Sequence, residues 1–523
     1  MSDPTDPNFH LTRIARLRDV IVCAIGIVVI CVGIIHVLSK GQPLVSAIAV
    51  GGVLLLPWVI LSPLWGLLVF LWLAHTIDGV KRLAYAFSNF SHGDIASILI
   101  VPVLVAIALY VKMFFLKWFG DRSTPPVRMF KFLPLVICMI GATIFTLHGG
   151  LDFSALTSNY SFICYIPAGI AVPYILCNTQ RRLTYVKTLI VIGIVVGSYG
   201  LIQALHGPFE YERAYLYSGL TQTISAIDGQ LYFRSFSLLN NGPTFGGVLM
   251  MITLLSYFYF CRKKGRLHLN RNVILMTLFT ITASFAATQR GPIVSFLLTL
   301  CLLPLFTRPR AFLVAIFIGL TAFVGVIYFA EDMLEWLVFA NDRLASSVDS
   351  AFLQQNANIL TYGQRLNGFT ALANPALWTP FGTMSRMAHS DIMANNVAAG
   401  HDLISNFLEW FGYVGTGIFL LLLAGMLIMV IKRTRFLLKN PERALWAQCN
   451  LGVFLFMMIW QLFTGPAMHV SPLQFYFWVA IGNLNYLLTE SDFNRKSVSE
   501  KDIPIRRITS GKTPAKALYG RDT

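Results

Sequence analysis

The stretch PTFGGVLMMITLLSYFYFCRKKGR, residues 243–266, joins a long apolar run to a short basic cluster. The run at 243–261 contains no charged residue and is long enough to cross a hydrocarbon layer about 30 Å thick as a helix. In the cluster that follows, Gly265 interrupts a row of lysines and arginines. Basic residues beside a membrane span concentrate on the cytoplasmic side. The stretch therefore predicts a transmembrane helix that ends in the cytoplasm.

Apolar runs of this kind recur along the whole chain. Of its 523 residues, 56% are hydrophobic and 12% are charged, and the mean hydropathy is +0.66. This composition leaves too little polar surface for a water-soluble globular protein. We expect an all-α polytopic membrane protein with about 12–14 transmembrane helices, since each run is long enough to span a bilayer.

With the basic clusters taken as cytoplasmic, the predicted spans are residues 19–39, 43–60, 62–78, 95–116, 129–147, 162–178, 185–205, 243–261, 272–289, 291–306, 311–330, 404–431, 446–464 and 471–488. Pro57 and Pro63 leave open that the second and third spans form one kinked helix. Lys81 and Arg82 lie on the external side of the membrane in this scheme, although positive charge usually concentrates on the cytoplasmic side.

The spans divide the chain into a cytoplasmic N-terminus at 1–18, a transmembrane domain at 19–488 and a basic cytoplasmic tail at 489–523. The first run, from Val20 to Leu38, has the charged flank of a signal sequence but is too long for one, so we expect a retained helix. Two external loops are predicted at 206–242 and 331–403, and the second is long enough to fold as a small cap. The tail has few large apolar residues and is predicted to be disordered.

The net charge of +16 is spread over short clusters between the apolar runs. Topology and contact with anionic membrane lipids explain this distribution better than a nucleic-acid partner does, and we expect no nucleic-acid binding. The eight cysteines lie in or beside apolar runs without a CxxC pair, so neither a disulfide framework nor a zinc site is predicted. The sequence also has no carboxylate cluster for a divalent metal. We therefore expect metal-independent chemistry without a cofactor.

Arginines at the predicted external face are the first candidate functional residues. Arg290 lies between two apolar runs, and Gly291 and Pro292 follow it. It fits either an interfacial side chain that reaches the headgroups or a clamp whose guanidinium holds two phosphate oxygens. Its predicted external position favours the clamp. Arg365, which begins a short amphipathic helix in the second loop, is either a second clamp or a solvated helix end, and Arg234 is a further candidate substrate contact.

His401 stands just before the span that begins near residue 404. It is either a hydrogen-bonded structural residue or a general base, for which its ordinary pKa of about 6.5 is suitable. Asp402 either orients the imidazole ring or caps the helix that follows. Together, Arg290, Arg365 and His401 match the needs of attack on a sugar-diphosphate-lipid, because two cations would hold the pyrophosphate and a base would accept the proton of the incoming hydroxyl.

Three motifs occur in order around the second loop: TQRG at 288–291, QRLNGFTALANPALWTPFG at 364–382, and the residues His401, Asp402, Gly412 and Gly415 of HDLISNFLEWFGYVG at 401–415. In these motifs the chain resembles the O-antigen ligase and polymerase superfamily of bacterial inner-membrane glycosyltransferases, best over residues 230–430. The resemblance implies a GT-C-like fold in the inner membrane, with the active site on the periplasmic face.

The resemblance also implies a reaction. The donor would be a glycan linked to undecaprenyl diphosphate, contacted by Arg290 and Arg365, and His401 would activate or position the acceptor. The acceptor would be another lipid-linked repeat unit in a polymerase, which we slightly favour, or the lipid A core in a ligase. Asp402 stands where ligases usually carry an amide or a hydroxyl. A protein-glycosylating enzyme is a third alternative, and a flippase and a chain-length regulator are candidate partners.

Two hypotheses in which the protein is not a glycosyltransferase remain open. The first is a transporter, such as a lipid-linked oligosaccharide flippase or a small-molecule carrier. Such proteins often show two matching halves, and the sequence shows no such halving and has one large asymmetric loop. The second is a scaffold for polysaccharide assembly. Both predict that substitution of Arg290, Arg365 and His401 leaves the protein's output intact.

Overall fold

A computed structural model of the protein describes residues 62–87, 165–217, 225–227, 230–232, 235–286, 290–303, 412–421, 440–464 and 471–501, with a few isolated positions between them. Its helices are α1 (Pro63–Phe87), α2 (Ile166–Ile175), α3 (Thr179–His206), α4 (Glu210–Tyr217), α5 (Gly242–Cys261), α6 (Arg271–Ala286), α7 (Arg290–Leu302), α8 (Pro441–Thr464) and α9 (Leu473–Lys501). A shorter apolar helix covers Gly412–Leu421.

Four helices of the described part are long and apolar enough to cross a membrane: Pro63–Phe87, Thr179–His206, Gly242–Lys264 and Pro441–Gln461. The prediction of a mostly helical membrane protein is confirmed at this level. One difference lies in the segment 206–242, which contains α4 and a small antiparallel hairpin of β1 (Ser225–Ile227) and β2 (Gln230–Tyr232).

Asparagine side chains cap the N-termini of several of these helices. The side-chain oxygen of Asn178 accepts a hydrogen bond from the amide of Arg181 at the start of α3. Asn241, Asn270 and Asn440 make the equivalent bond at the starts of α5, α6 and α8. A cap of this kind satisfies one of the amide groups that lack a partner in the first helical turn. The local sequence therefore sets where these helices begin.

Helix α5 lies in the centre of the described bundle, and nearly all of its residues are buried. Helix α3 packs antiparallel to it, with Gly193 against Ile252 and Gly200 against Phe245. Helix α6 is also antiparallel to α5, because the hydroxyls of Thr253 and Thr280 are 2.6 Å apart and those of Tyr257 and Thr277 are 2.7 Å apart.

Helix α8 completes this packing, because Trp446 contacts Phe258 and Trp460 packs on Gly247. The bundle therefore has two distinct ends. At the end we call the basic end, the α5–α6 turn meets the start of α8, where Arg262 Nε lies 3.9 Å from Glu442 Oε1.

We call the opposite end the loop end. It contains the C-terminal parts of α1 and α3, helix α4 and residues 235–241. The Gly79 amide of α1 donates to the Leu238 carbonyl there at 3.1 Å.

Two helices extend beyond their predicted limits. Helix α1 continues through Lys81 and Arg82 to Phe87, although the predicted span ended at residue 78. Helix α9 continues to Lys501, so residues 489–501 are helical where a disordered tail was predicted. That stretch contains neither glycine nor proline, and the next proline is Pro504, so nothing local interrupts the helix.

Candidate functional site

A dense polar cluster lies at the loop end, where α1, α3, α4 and residues 235–239 meet. Its members are polar or charged side chains that are buried. Burial of such groups costs free energy unless they are paired or hydrogen-bonded. They are Asp78, Lys81, Arg82, Gln203, Glu212, Ser235 and Ser237.

Glu212, in the first turn of α4, is the carboxylate at the centre of this cluster and is 1% exposed. It accepts hydrogen bonds from the Tyr199 hydroxyl at 2.9 Å and from the Phe209 amide at 3.0 Å. The side-chain amide of Gln203 donates to its two oxygens, each at 2.9 Å. Arg82 Nη1 lies 3.7 Å from Glu212 Oε1 and supplies the opposite charge.

Gln203 joins Glu212 to the segment 235–237. Its carbonyl oxygen accepts three hydrogen bonds: from Ser235 Oγ at 3.0 Å, from the Phe236 amide at 2.9 Å and from the Ser237 amide at 2.8 Å. Since its amide group is occupied by Glu212, every polar atom of the Gln203 side chain is bonded. The side chain is fully buried, so each of these bonds replaces one that water would otherwise have made.

Arg82 holds the same segment from the other side. Its Nη2 donates to the carbonyls of Ser237 at 2.7 Å and Leu239 at 3.1 Å, and its guanidinium lies 4.1 Å from the centre of the Phe236 ring. The neighbouring Lys81 donates to Asp78 at 2.7 Å. These contacts explain why two cations lie at an end where positive charge was not expected: each faces a carboxylate, so the local charge is balanced.

Ser237 has a positive φ of 56°, which is unusual for a residue other than glycine. Its hydroxyl donates to the Val196 carbonyl at 2.5 Å, its amide to Gln203, and its carbonyl accepts from Arg82. A strained backbone persists where the surroundings determine it in this way, and such positions occur preferentially at functional sites.

The cluster is suited to holding a segment in place rather than to reacting. The Glu212 oxygens and the Arg82 donors are already engaged, so neither group is free to bind a ligand without giving up internal bonds. The hydroxyl of Tyr211 contacts that of Tyr199 beside the cluster, and burial raises the pKa of Tyr211 above its ordinary value. A small crevice lined in part by Lys81, Tyr215 and Asn240 adjoins the cluster.

Only one of the residues predicted to carry chemistry falls in the described part. Arg290 is the first residue of α7. It follows α6, which runs antiparallel to α5 and ends towards the loop end, so α7 begins towards the same end as the polar cluster. Arg234, Arg365, His401 and Asp402 lie outside the described residues. Whether these five residues come together therefore stays a prediction.

Gly412 and Gly415, the two glycines of the third motif, lie in the helix Gly412–Leu421. Gly412 has a φ of 63°, a conformation that favours glycine, and this gives it a backbone role at the start of that helix.

The sequence prediction missed Arg82, Gln203 and Glu212. The available signal was the position of Lys81 and Arg82 against the charge trend, because an unexpected charge near a span needs a partner.

Within the described residues, no three His, Cys, Asp or Glu side chains converge to hold a metal ion. Comparison with protein-family models, with curated proteins and with solved structures found no match. The functional assignment therefore rests on the residues of this chain.

Proposed function

We propose that this protein is an integral-membrane glycosyltransferase that moves a glycan from an undecaprenyl-diphosphate-linked donor to a sugar hydroxyl, in the polymerisation or ligation of a surface polysaccharide. The observation that carries the proposal is the ordered set of motifs around Arg290, Arg365 and His401. Each motif is short, but their order around one large loop in a polytopic chain fits the ligase and polymerase superfamily, with its GT-C-like fold of about 12–14 helices.

The charge distribution supports an external site. Basic side chains dominate the basic end: the turn at 262–271 carries Arg262, Lys263, Lys264, Arg266 and Arg271 and no carboxylate, and Arg181, Arg182 and Arg443 lie nearby with Glu442. At the loop end, the described residues Lys81, Arg82, Arg213 and Arg290 lie with Asp78, Glu210 and Glu212, so cations exceed carboxylates by only one. Positive charge marks the cytoplasmic side. The loop end, towards which Arg290 begins α7, is then periplasmic in a bacterial inner membrane.

The proposed reaction is a displacement at the anomeric carbon of the donor. His401 accepts the proton of the acceptor hydroxyl, whose oxygen forms the new glycosidic bond as the bond to the diphosphate oxygen breaks. Arg290 and Arg365 hold the pyrophosphate and stabilise the charge that develops on the departing undecaprenyl diphosphate. Base catalysis of this kind contributes about 10²–10⁴-fold to the rate, so its loss is measurable.

The test uses the full-length protein in proteoliposomes with lipid-linked repeat units. We expect Arg290→Ala, Arg365→Ala and His401→Ala each to abolish glycan transfer, while the exposed loop-end arginine variant Arg213→Ala retains it. Normal transfer by all three variants, each inserted at wild-type level, would defeat the proposal and favour a transporter or a scaffold.

The same assay separates the acceptors. A ladder of products from repeat units alone indicates a polymerase, whereas transfer that requires added lipid A core indicates a ligase. Transfer to neither acceptor, with glycan attached to a protein acceptor instead, would indicate the protein-glycosylating branch.

A further inference from the structure

The cations at the basic end fall into two groups. Some have acceptors within the protein: Arg182 Nε donates to the Leu176 carbonyl at 2.8 Å, Arg181 Nη1 lies 3.4 Å from the Ile175 carbonyl, and Arg262 faces Glu442. These arginines stabilise the C-terminal end of α2 and the contact between α5 and α8. The positive charge of these arginines therefore interacts with acceptors of the protein itself.

The second group lies on the turn between α5 and α6. Lys263, Lys264, Arg266 and Arg271 are exposed, and in the described part of the chain their side chains form no hydrogen bond or ion pair. Glu442, at the start of α8, is beside Arg262. Four exposed cations therefore lie within nine residues that contain no carboxylate.

The turn that carries these cations is held by its own contacts. Gly265 has a φ of 59° and donates its amide to the Arg262 carbonyl, which closes the turn. Asn270 caps α6 at the Val273 amide and donates to the Phe260 carbonyl at 3.0 Å. A backbone fixed before binding loses less conformational freedom when a ligand binds.

Apolar and aromatic groups accompany the cations. Leu269, in the same turn, is 82% exposed, and Tyr259 on the last turn of α5 is 40% exposed. Lys187 of α3 places its amine 5.5 Å from the centre of the Tyr259 ring. Cations beside an exposed leucine and a tyrosine, at the end of an apolar helix, match the boundary between headgroups and acyl chains.

We propose that the α5–α6 turn, residues 262–271, is a binding site for anionic phospholipids. Lys263, Lys264 and Arg266 contact the headgroup phosphates, and Leu269 inserts between the adjoining acyl chains. A soluble phosphate would satisfy the cations but would leave Leu269 exposed to water, so the exposed leucine favours a lipid. The inference does not depend on the proposed enzymatic activity.

The test measures lipid preference with full-length protein in detergent micelles, titrated with fluorescent phosphatidylglycerol or fluorescent phosphatidylcholine. We expect the wild-type protein to prefer phosphatidylglycerol. Since each basic side chain near an anionic surface contributes about fivefold, the triple variant K263Q/K264Q/R266Q should lose more than tenfold of that preference. The charge-retaining variant K263R/K264R/R266K should keep it, and so should R213Q at the other end.

A second variant tests the role of the leucine. L269S should weaken phosphatidylglycerol binding severalfold and leave competition by soluble glycerol phosphate unchanged. An unchanged lipid preference in the triple glutamine variant would overturn the proposal, as would equal competition by glycerol phosphate and phosphatidylglycerol. Melting temperatures of the variants in the α5–α6 turn should match the wild type, because the substituted side chains are exposed and form no hydrogen bond or ion pair with the described residues.

Discussion

Glu212 is the residue on which the loop end most depends, because its carboxylate contacts α1, α3 and the start of α4. A buried ion pair adds little when it is compared with a well-packed apolar pair, but removal of one partner leaves the other charge buried and uncompensated. In addition, the amide of Phe209 and the side chain of Gln203 would lose their acceptor. The loss should therefore exceed that of any single hydrogen bond.

We expect Glu212→Ala to lower the free energy of unfolding by about 3–5 kcal/mol, the usual cost of breaking a buried ion pair. Glu210 provides a matched control, since it lies in the same helical turn but is exposed. Glu210→Ala should change the free energy by less than about 0.5 kcal/mol. Denaturant unfolding of the purified protein in detergent measures both. Equal effects of the two substitutions would show that the cluster does not stabilise the fold.

At the scale of secondary structure elements, glycines decide how closely helices pack. Helices α2 and α9 run parallel, with Tyr165 beside Ser471 at one end and Tyr174 beside Tyr486 at the other. Between these points, the backbone of Gly169 lies directly against Gly482. A Cβ atom at Gly482 would overlap the Gly169 carbonyl oxygen, so the two helices could not approach this closely with any larger residue.

We expect Gly482→Ala to force α2 and α9 apart and to destabilise the protein by about 1–3 kcal/mol, the usual cost of overpacking. Gly417, in the helix Gly412–Leu421, is the control because a Cβ there meets nothing within 4 Å. Gly417→Ala should be neutral or should stabilise by up to about 1 kcal/mol through helix propensity. The melting temperature in detergent distinguishes the two variants, and a lower value for Gly417→Ala than for Gly482→Ala would contradict the packing argument.

At the scale of the whole molecule, the two ends of the bundle differ in charge. Among the described residues, cations exceed carboxylates by one at the loop end and by a larger margin at the basic end. An unbalanced basic end resists transfer across a membrane and remains cytoplasmic, whereas a balanced cluster exerts little such bias. This asymmetry predicts an orientation without reference to any motif, with the basic end in the cytoplasm.

Labelling of a cysteine introduced into the wild-type chain, in intact cells, tests this orientation. Ala214 at the loop end and Lys264 at the basic end are both exposed. With a membrane-impermeant maleimide, we expect Ala214→Cys to raise labelling above the wild-type background in intact cells. Lys264→Cys should do so only after the inner membrane is permeabilised. The reverse pattern would place Arg290 towards the cytoplasm and would remove the periplasmic site.

Local sequence was enough to predict much of the helical framework. Apolar length indicates a span because a helix must satisfy its backbone hydrogen bonds across the bilayer. The asparagine caps of α5 and α8 likewise act within a few residues of the chain. The RKKGR turn, where positive charge follows an apolar run, could also be found from sequence alone.

The partners of the buried charges were decided only by the tertiary structure. Arg82 bonds to the Ser237 carbonyl across 155 positions of the chain, and its countercharge Glu212 belongs to a segment predicted only as an external loop. Hydropathy reflects how favourably a residue interacts with the bilayer, and capping reflects its interaction with residues nearby in the chain. The pairing of Arg82, Gln203 and Glu212 depends instead on which distant helices pack together, because a buried charge is stable only where the whole fold supplies its partner.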